Sequence, residues 1–188
     1  EKTGRFIQEQ RVLLGELTIN AKPISGSIDD ATRNSVWIQL VEKKGLSLFN
    51  AWSTNPADGE DNACIQWAIR LELANRFYPA EFKAWNEASL IKNADQWLSP
   101  HLTGINTLEQ LKKMDLFSAL QSLLDWNQQQ RLNAILPERI EVPTGSMIRV
   151  SYQSNGPAKL SVRMQEMFGL SHTPKLCDGK LSLLMDLL

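Results

Sequence analysis

The stretch LNAILPERIEVPTGSMIRVSYQSNGPAKLSVR, residues 132–163, decides the fold class of this chain. Before Pro137, Leu132 and Ile135 continue a helical spacing of apolar residues. After Pro137, apolar and polar residues alternate in three short runs, whose apolar members are Ile140 and Val142, then Ile148, Val150 and Tyr152, then Leu160 and Val162. Because a period of 3.6 residues marks a helix face and a period of two marks a strand, the stretch predicts a change from helices to strands at Pro137.

Residues 27–138, upstream of this change, are predicted to form a helical domain. The first helix has Asp29 and Asp30 at its start, a stripe of apolar residues, and Lys43, Lys44 and Gly45 at its exit. Cations suit the negative end of the helix dipole, and glycine suits the left-handed residue that ends a helix. Further helices are predicted around Cys64 to Ala74, from Leu90 to Leu98, after a capping box at Thr107 and Gln110, and as one longer helix from Asp115 to Ile135.

The two ends of the chain are predicted to be extended. Residues 1–26 contain Leu17, Ile19 and Ala21 in alternation with polar residues, and we expect this segment to pair with strands elsewhere. Residues 139–188 are predicted to be rich in strands, with a hairpin turn at Asn155-Gly156. The fold class is therefore α+β, with an N-terminal extended segment, a central helical bundle and a small antiparallel β region.

Composition limits the classes of protein to which the chain can belong. Lys and Arg number 20 against 21 Asp and Glu, so any contact with nucleic acid must come from a local patch. Cys64 and Cys177 are far apart and are expected to be small buried hydrophobic residues. The chain begins at Glu1 rather than Met and is read as an excised piece. No apolar run reaches the roughly 20 residues of a membrane span, so the cytoplasm is predicted.

No set of residues with catalytic spacing is visible. The chain has no GxxxxGK[ST] loop for phosphates and no GxGxxG motif. His101 and His172 are solitary, without metal-ligand spacing to Cys or carboxylates. A free-standing enzyme is therefore the weakest of the three functional classes considered, behind a nucleic-acid-binding module and a protein-interaction module.

Three arginines are the main candidates for a binding surface. Arg139, Arg149 and Arg163 fall on the polar faces of short predicted strands and would form a row suited to phosphate oxygens if those strands are neighbours. The spacing of the three arginines alone favours a different interpretation, in which they lie with Glu141 and Glu166 on a solvent-exposed face that binds no phosphate. Trp37, Trp67 and Trp97 fall on apolar helical stripes and are predicted to pack in the core rather than to stack on bases.

Four segments, in order, resemble the C-terminal region of HrpB-type bacterial helicases. They are QWLSPHLTG at 96–104, LLDW at 123–126, VPTGS at 142–146 and VRMQEMFG at 162–169. The family is similar to the DEAH-type ATP-dependent RNA helicases. The likeness is strongest over residues 90–188 and extends, more weakly, through GLSL at 45–48 toward the start.

The resemblance implies a division of labour within a longer protein. A motor of two RecA-like domains, which uses ATP and Mg and translocates along nucleic acid, would lie N-terminal to this region. The chain itself would contain stacked helical domains and a small β region similar to an OB-fold, with no cofactor of its own. Relatives often carry a basic residue at the position of Met147, and their basic, aromatic segment after the last apolar run is missing, so the β region is expected to be cut short.

Two functions follow, and the sequence leaves both open. In the first, Arg149 and Arg163, helped by Arg139 and Gln165, contact the phosphates of single-stranded RNA or DNA and guide the strand for the motor. In the second, the chain is a structural and protein-interaction module that braces the motor without touching nucleic acid.

Overall fold

The computed structural model describes residues 9–14, 17–23, 28–52, 62–170 and 172–188. Within these ranges the helices are α1 (Asp30–Lys44), α2 (Ala63–Phe77), α3 (Glu87–Lys92), α4 (Ala94–Leu98), α5 (Leu108–Lys112), α6 (Leu116–Gln121) and α7 (Trp126–Ile135). The strands are β1 (Glu9–Leu14), β2 (Leu17–Pro23), β3 (Arg139–Glu141), β4 (Met147–Arg149), β5 (Ala158–Val162) and β6 (Leu183–Leu187). Short 3₁₀ turns lie at Leu46–Leu48, Ser99–His101, Met164–Met167 and Cys177–Gly179.

Helix α1 begins and ends at the predicted residues. The Asp29 carboxylate accepts a hydrogen bond from the backbone N–H of Thr32 at 3.0 Å. At the other end Gly45 takes a φ of +76°, and its N–H donates to the carbonyl of Val41. The buried face carries Trp37, whose indole N–H donates to the carbonyl of Ile105 at 3.0 Å.

The prediction of one long helix from Asp115 to Ile135 was wrong, because the chain forms two helices there, α6 and α7. Asp125 starts the second: its carboxylate accepts from the backbone N–H of Gln128 at 2.8 Å, and the Gln128 side chain accepts from the N–H of Asp125. This reciprocal cap satisfies backbone N–H groups that have no partner at the start of a helix. It therefore favours the start of a new helix at Asp125 over the continuation of α6. The helix predicted from Leu90 to Leu98 is similarly divided at Asn93.

The N-terminal strands pair with each other as a hairpin. Strand β1 runs antiparallel to β2, from Glu9 opposite Pro23 to Leu14 opposite Leu17. The expected pairing of the first segment with strands elsewhere is therefore replaced by a two-stranded sheet in the part of the chain that the structure describes. Residues 1–8, 15–16 and 24–27, which belong to the same predicted segment, lie outside the described residues.

The described residues of the C-terminal region form two strand pairs and two isolated bridges, and one of the strand pairs differs from the prediction. Strands β3 and β4 are antiparallel, and the bridge between Ser151 and Lys159 continues the chain antiparallel into β5 across the predicted Asn155-Gly156 turn. Strand β6, however, runs parallel to β5. A parallel pair needs a long crossover, and its described residues, 163–170 and 172–182, contain two 3₁₀ turns. The antiparallel expectation therefore fails for β6 alone.

One continuous cluster of buried hydrophobic residues extends through the helices and into the C-terminal strands. Trp37, Trp67 and Trp97 lie in it, as predicted, and so do Trp52 and Trp85. Trp126 is instead 71 % exposed. The boundary between the helical and β regions at residue 138 stays a prediction. No helix in the described ranges has the length and apolar character needed to cross a membrane.

Helix α2 connects the helical region to the sheet through two buried polar side chains, one turn apart. Gln66 is 6 % exposed; its amide nitrogen donates to the carbonyl of Tyr152 at 3.2 Å, and its amide oxygen accepts from the Tyr152 N–H at 2.8 Å. Arg70 is 2 % exposed and donates to the carbonyl of Leu136 at 2.7 Å, to the carboxylate of Glu138 at 2.8 Å and to the side chain of Asn133. Burial lowers the pKa of Arg70, and the adjacent carboxylate of Glu138 opposes that shift.

A second contact joins the end of α2 to the turn before β6. The phenol of Tyr78 donates to the carboxylate of Asp178, and this bond raises the pKa of Tyr78 to about 12. The ammonium of Lys180 lies 4.2 Å and the guanidinium of Arg131 5.1 Å from the centre of the same ring. Asp178 has a φ of +56°, a conformation that its short polar side chain tolerates better than most.

Replacing Arg70 by Met tests the α2 connection. We expect Arg70→Met to lower the free energy of unfolding by about 3 kcal/mol, because a buried carbonyl and a carboxylate lose their donor. Arg76→Met on the same helix removes an exposed pair with Glu72 and an exposed hydrogen bond to the Ser154 carbonyl, and it should lower the free energy of unfolding by less than about 1 kcal/mol. Urea denaturation of both variants measures the difference. Equal losses in the two variants would contradict a special role for Arg70.

Candidate nucleic-acid interface

The exposed side of β3 and β4 brings two of the predicted arginines together. Arg139 pairs with Arg149 and Glu141 pairs with Met147 across the antiparallel ladder, and all four side chains are exposed. Their neighbours on the strands, Ile140 and Ile148, point to the other side and pack on the core. We call the exposed surface that carries Arg139, Arg149 and Arg163 the arginine face.

Arg139 and Arg149 form a non-hydrogen-bonded pair of the antiparallel ladder, the kind of pair in which the two Cα atoms lie closer together. Flanking hydrogen bonds run from Val150 N–H to the Glu138 carbonyl and from Val142 N–H to the Ser146 carbonyl, so the arginines occupy a non-hydrogen-bonded position of the ladder. At such positions the Cα atoms are only about 4.5 Å apart and the side chains lie closer than elsewhere in a sheet. Like charges directly opposite each other are destabilising, which makes the pair a favourable place for an anion.

The surroundings of the two arginines differ. Arg139 donates to the carbonyl of Met147 at 3.3 Å, which holds its guanidinium along the edge of the hairpin. Arg149 borders a small cleft beside α2, together with Glu138 and Arg70. The face therefore contains acidic as well as basic groups and is not a uniform positive patch.

Arg163 and Gln165 lie at the end of β5. An isolated antiparallel bridge between Ser151 and Lys159 joins the segment after β4 to β5. Arg163 is exposed, and its backbone N–H donates to the carboxylate of Glu166 at 3.4 Å at the start of the 3₁₀ turn. Gln165 is exposed on that turn. Arg139 and Arg149 are thus direct neighbours on one hairpin, whereas Arg163 follows β5 of another two-stranded sheet, so the row of three arginines stays a prediction.

Phe168 is an exposed aromatic residue that the sequence analysis did not single out. The N–H of Leu170 donates to the carbonyl of Met167 at 3.0 Å, closing a turn with Phe168 and Gly169 at its centre. Phe168 has φ −62° and ψ 124° and Gly169 has φ +93°, which is the geometry of a type II turn. The turn directs the Phe168 ring outward, where it is 69 % exposed. The sequence signal was the Phe-Gly pair, because this turn requires a residue that tolerates positive φ.

The same corner of the molecule carries further apolar surface. Met147 is 52 % and Met164 is 55 % exposed. A Cβ built on Gly169 would lie 3.9 Å from the ring of Pro143, so the Phe168 turn packs beside the loop between β3 and β4. Exposed aromatic and sulfur-containing side chains therefore lie near the end of the arginine face.

Catalytic and metal-binding groups are not brought together in the described part of the chain. No group of three or more His, Cys, Asp or Glu residues there could hold a metal ion. Cys64 and Cys177 are buried, and burial raises the pKa of each thiol to about 11, which disfavours the nucleophilic thiolate. His101 has a 3.4 Å contact with the hydroxyl of Ser122.

Comparison with known proteins identifies the class of the chain as the C-terminal region of ATP-dependent helicases. The sequence model of the family described as ATP-dependent helicase C-terminal matches residues 97–188. The chain is 37 % identical, over 180 residues, to the ATP-dependent RNA helicase HrpB of Escherichia coli strain K12. This alignment covers 95 % of the chain and 21 % of the relative, so the chain spans about a fifth of that protein's length.

Two solved structures show the same arrangement. The crystal structure of the E. coli DExH-box NTPase HrpB has a TM-score of 0.78 and 35 % identity over 96 % of this chain and 21 % of its own. The crystal structure of the Escherichia coli DEAH/RHA helicase HrpB has a TM-score of 0.77 and 32 % identity over 99 % of this chain and 24 % of its own. The chain belongs to the HrpB family, as its four sequence segments indicated.

Proposed function

We propose that the chain guides single-stranded nucleic acid for an ATP-driven helicase motor, through phosphate contacts on the arginine face. The observation that carries the proposal is the pairing of Arg139 with Arg149 at opposite positions of the β3–β4 ladder, which places two exposed arginine side chains on the same side of one hairpin. A phosphate bound between the two arginine side chains would relieve the repulsion between their positive charges and accept hydrogen bonds from both guanidinium groups. Arg163 and Gln165 extend the same surface toward the Phe168 turn.

The relatives support the context of this role. HrpB is described as an ATP-dependent RNA helicase, and most of its length lies outside the region to which this chain corresponds. We infer that RecA-like motor domains in the same polypeptide bind ATP and Mg and perform hydrolysis, and that the whole protein acts in the cytoplasm. The chain described here contributes strand guidance and support for the motor, without a chemical step of its own.

The exposed Phe168 ring adds a means of recognising unpaired bases. Burying a Phe side chain contributes roughly 1.5–3 kcal/mol, so a base that covered the exposed ring would gain part of this free energy. Stacking of a base on an aromatic ring contributes about 1–3 kcal/mol and is available only where the base is not already stacked in a duplex. Phosphate contacts at Arg163 and a stacked base at Phe168 would together favour single strands.

A second candidate function is a protein-interaction module that braces the motor without touching the strand. The exposed Trp126, at the first turn of α7, favours it, because aromatic residues are enriched at protein interfaces. The two functions predict different responses to salt and to loss of the arginines.

Removing two arginines should change both the affinity and its salt dependence. Each phosphate contact with a single strand contributes about 0.7 to the slope of log K against log salt, so Arg149→Ala/Arg163→Ala should flatten the slope by about 1.4. Fluorescence anisotropy of a labelled single-stranded RNA, titrated at several salt concentrations, measures this. Lys43→Ala/Lys92→Ala removes the same charge at exposed helix ends and should leave the slope unchanged. Failure of the wild-type chain to bind at low salt would leave the bracing role as the better account.

Phe168 can be tested separately from the arginines. Phe168→Ala should weaken binding of the RNA by about 1–3 kcal/mol without altering the salt slope, because stacking involves no charge. Phe168→Trp should retain affinity, and Met164→Ala serves as a control for lost apolar surface nearby. A strand without bases but with the same phosphates should bind wild type and Phe168→Ala equally. If Phe168→Ala binds base-bearing RNA as tightly as wild type, stacking at this ring is excluded while phosphate guidance still stands.

A further inference from the structure

A groove on the helical region lies between the end of α1, the following 3₁₀ turn and α5. It is open to solvent, has a volume of about 410 Å³ and is lined by Leu40, Lys44, Ser47, Leu48, Asn50, Leu108 and Lys112. This volume falls within the roughly 300–1,000 Å³ of clefts that hold ligands. None of the lining residues belongs to the arginine face.

The two lysines come from distant parts of the sequence and are brought together by a backbone contact. The N–H of Asn50 donates to the carbonyl of Lys112 at 2.8 Å, which joins the segment after α1 to the end of α5. The hydroxyl of Ser47 donates to the carbonyl of Lys44 at 3.2 Å. A lysine near the end of each helix is explained by the helix dipole. The dipole does not require that the two helix ends open into one groove.

The floor between the lysines is apolar. Leu40, Leu48 and Leu108 are partly buried and pack on the core with one side, while the other side lines the groove. Lys44 is exposed and Lys112 is half-buried, so both ammonium groups stand beside hydrocarbon surface. The side chains of Asn50 and Ser47 add amide and hydroxyl groups that can bond to a peptide backbone.

We propose that this groove binds a short acidic segment of a partner protein, with leucine-like side chains on the floor and carboxylates at Lys44 and Lys112. The combination of three leucines with two flanking cations fits an amphipathic acidic peptide by both shape and charge. A nucleic-acid strand fits less well, because its regularly spaced phosphates need a continuous row of cations and its bases need aromatic rings. The groove is therefore an interaction surface additional to the strand-guiding role and independent of it.

A pair of matched double variants tests the groove. The probe is a labelled peptide with leucines at i, i+3 and i+7 and glutamates beside them, so that one helical face is apolar with an acidic edge. We expect anisotropy titrations to show Lys44→Gln/Lys112→Gln binding it about tenfold more weakly than wild type, which corresponds to 1.4 kcal/mol. Lys43→Gln/Lys92→Gln removes equal charge from two exposed helix ends outside the groove and should change binding less than about twofold.

Several results would overturn the proposal. They are no binding of the acidic peptide to wild type at low salt, equal losses in the two double variants, and unchanged binding when the glutamates of the probe are replaced by glutamine. A labelled single-stranded RNA that loses affinity in Lys44→Gln/Lys112→Gln would assign the groove to the nucleic-acid path instead. Lys44→Gln alone, at an exposed position, provides the same comparison if the double variant does not fold.

Discussion

The insertion of Gln66 and Arg70 from α2 into the junction between helices and sheet is the constraint on which the rest of the structure depends. Buried polar groups must be hydrogen-bonded, and these two side chains satisfy backbone groups of the sheet and of the segment that enters it. The Gln66 amide pairs with both backbone groups of Tyr152, much as another strand would. The Tyr152 phenol in turn donates to the carbonyl of Pro137 at 2.6 Å, so the point where the chain changes from helix to strand is held from both sides.

This junction explains how a very small sheet can present charged side chains in fixed positions. Strands β3 and β4 have three residues each and would be marginal as an isolated hairpin. Their inner side chains are part of the helical core, so the outer arginines are held on a supported surface. The two proposed sites use different cations: guanidinium groups, suited to phosphate, on the arginine face, and ammonium groups, suited to single carboxylates, beside the leucine-lined groove. Strand guidance and protein docking would then use different faces.

Local signals in the sequence were sufficient for much of the fold. The caps of α1 at Asp29 and Gly45, the capping box at Thr107 and the change of period at Pro137 were all readable, because each depends on residues within one or two turns. The break before Asp125 was missed because apolar spacing continues across it. The parallel direction of β6 depends on a long crossover that no local pattern encodes.

For the interface, the polar faces of Arg139, Arg149 and Arg163 were predictable, and their contact with nucleic acid stays a prediction. Phe168 and the Gln66–Arg70 connection were not predicted, since both depend on tertiary position.

The measurement that tests this account most directly is hydrogen exchange of the Tyr152 amide, which donates to the Gln66 side chain at 2.8 Å. If α2 and the sheet form one cooperative unit, this amide should exchange only through global unfolding, as slowly as the amide of the buried Leu71 in α2. Rapid exchange at Tyr152 and Val150, with Leu71 still protected, would contradict the account, because the sheet would then open independently of the helix that is held to position it.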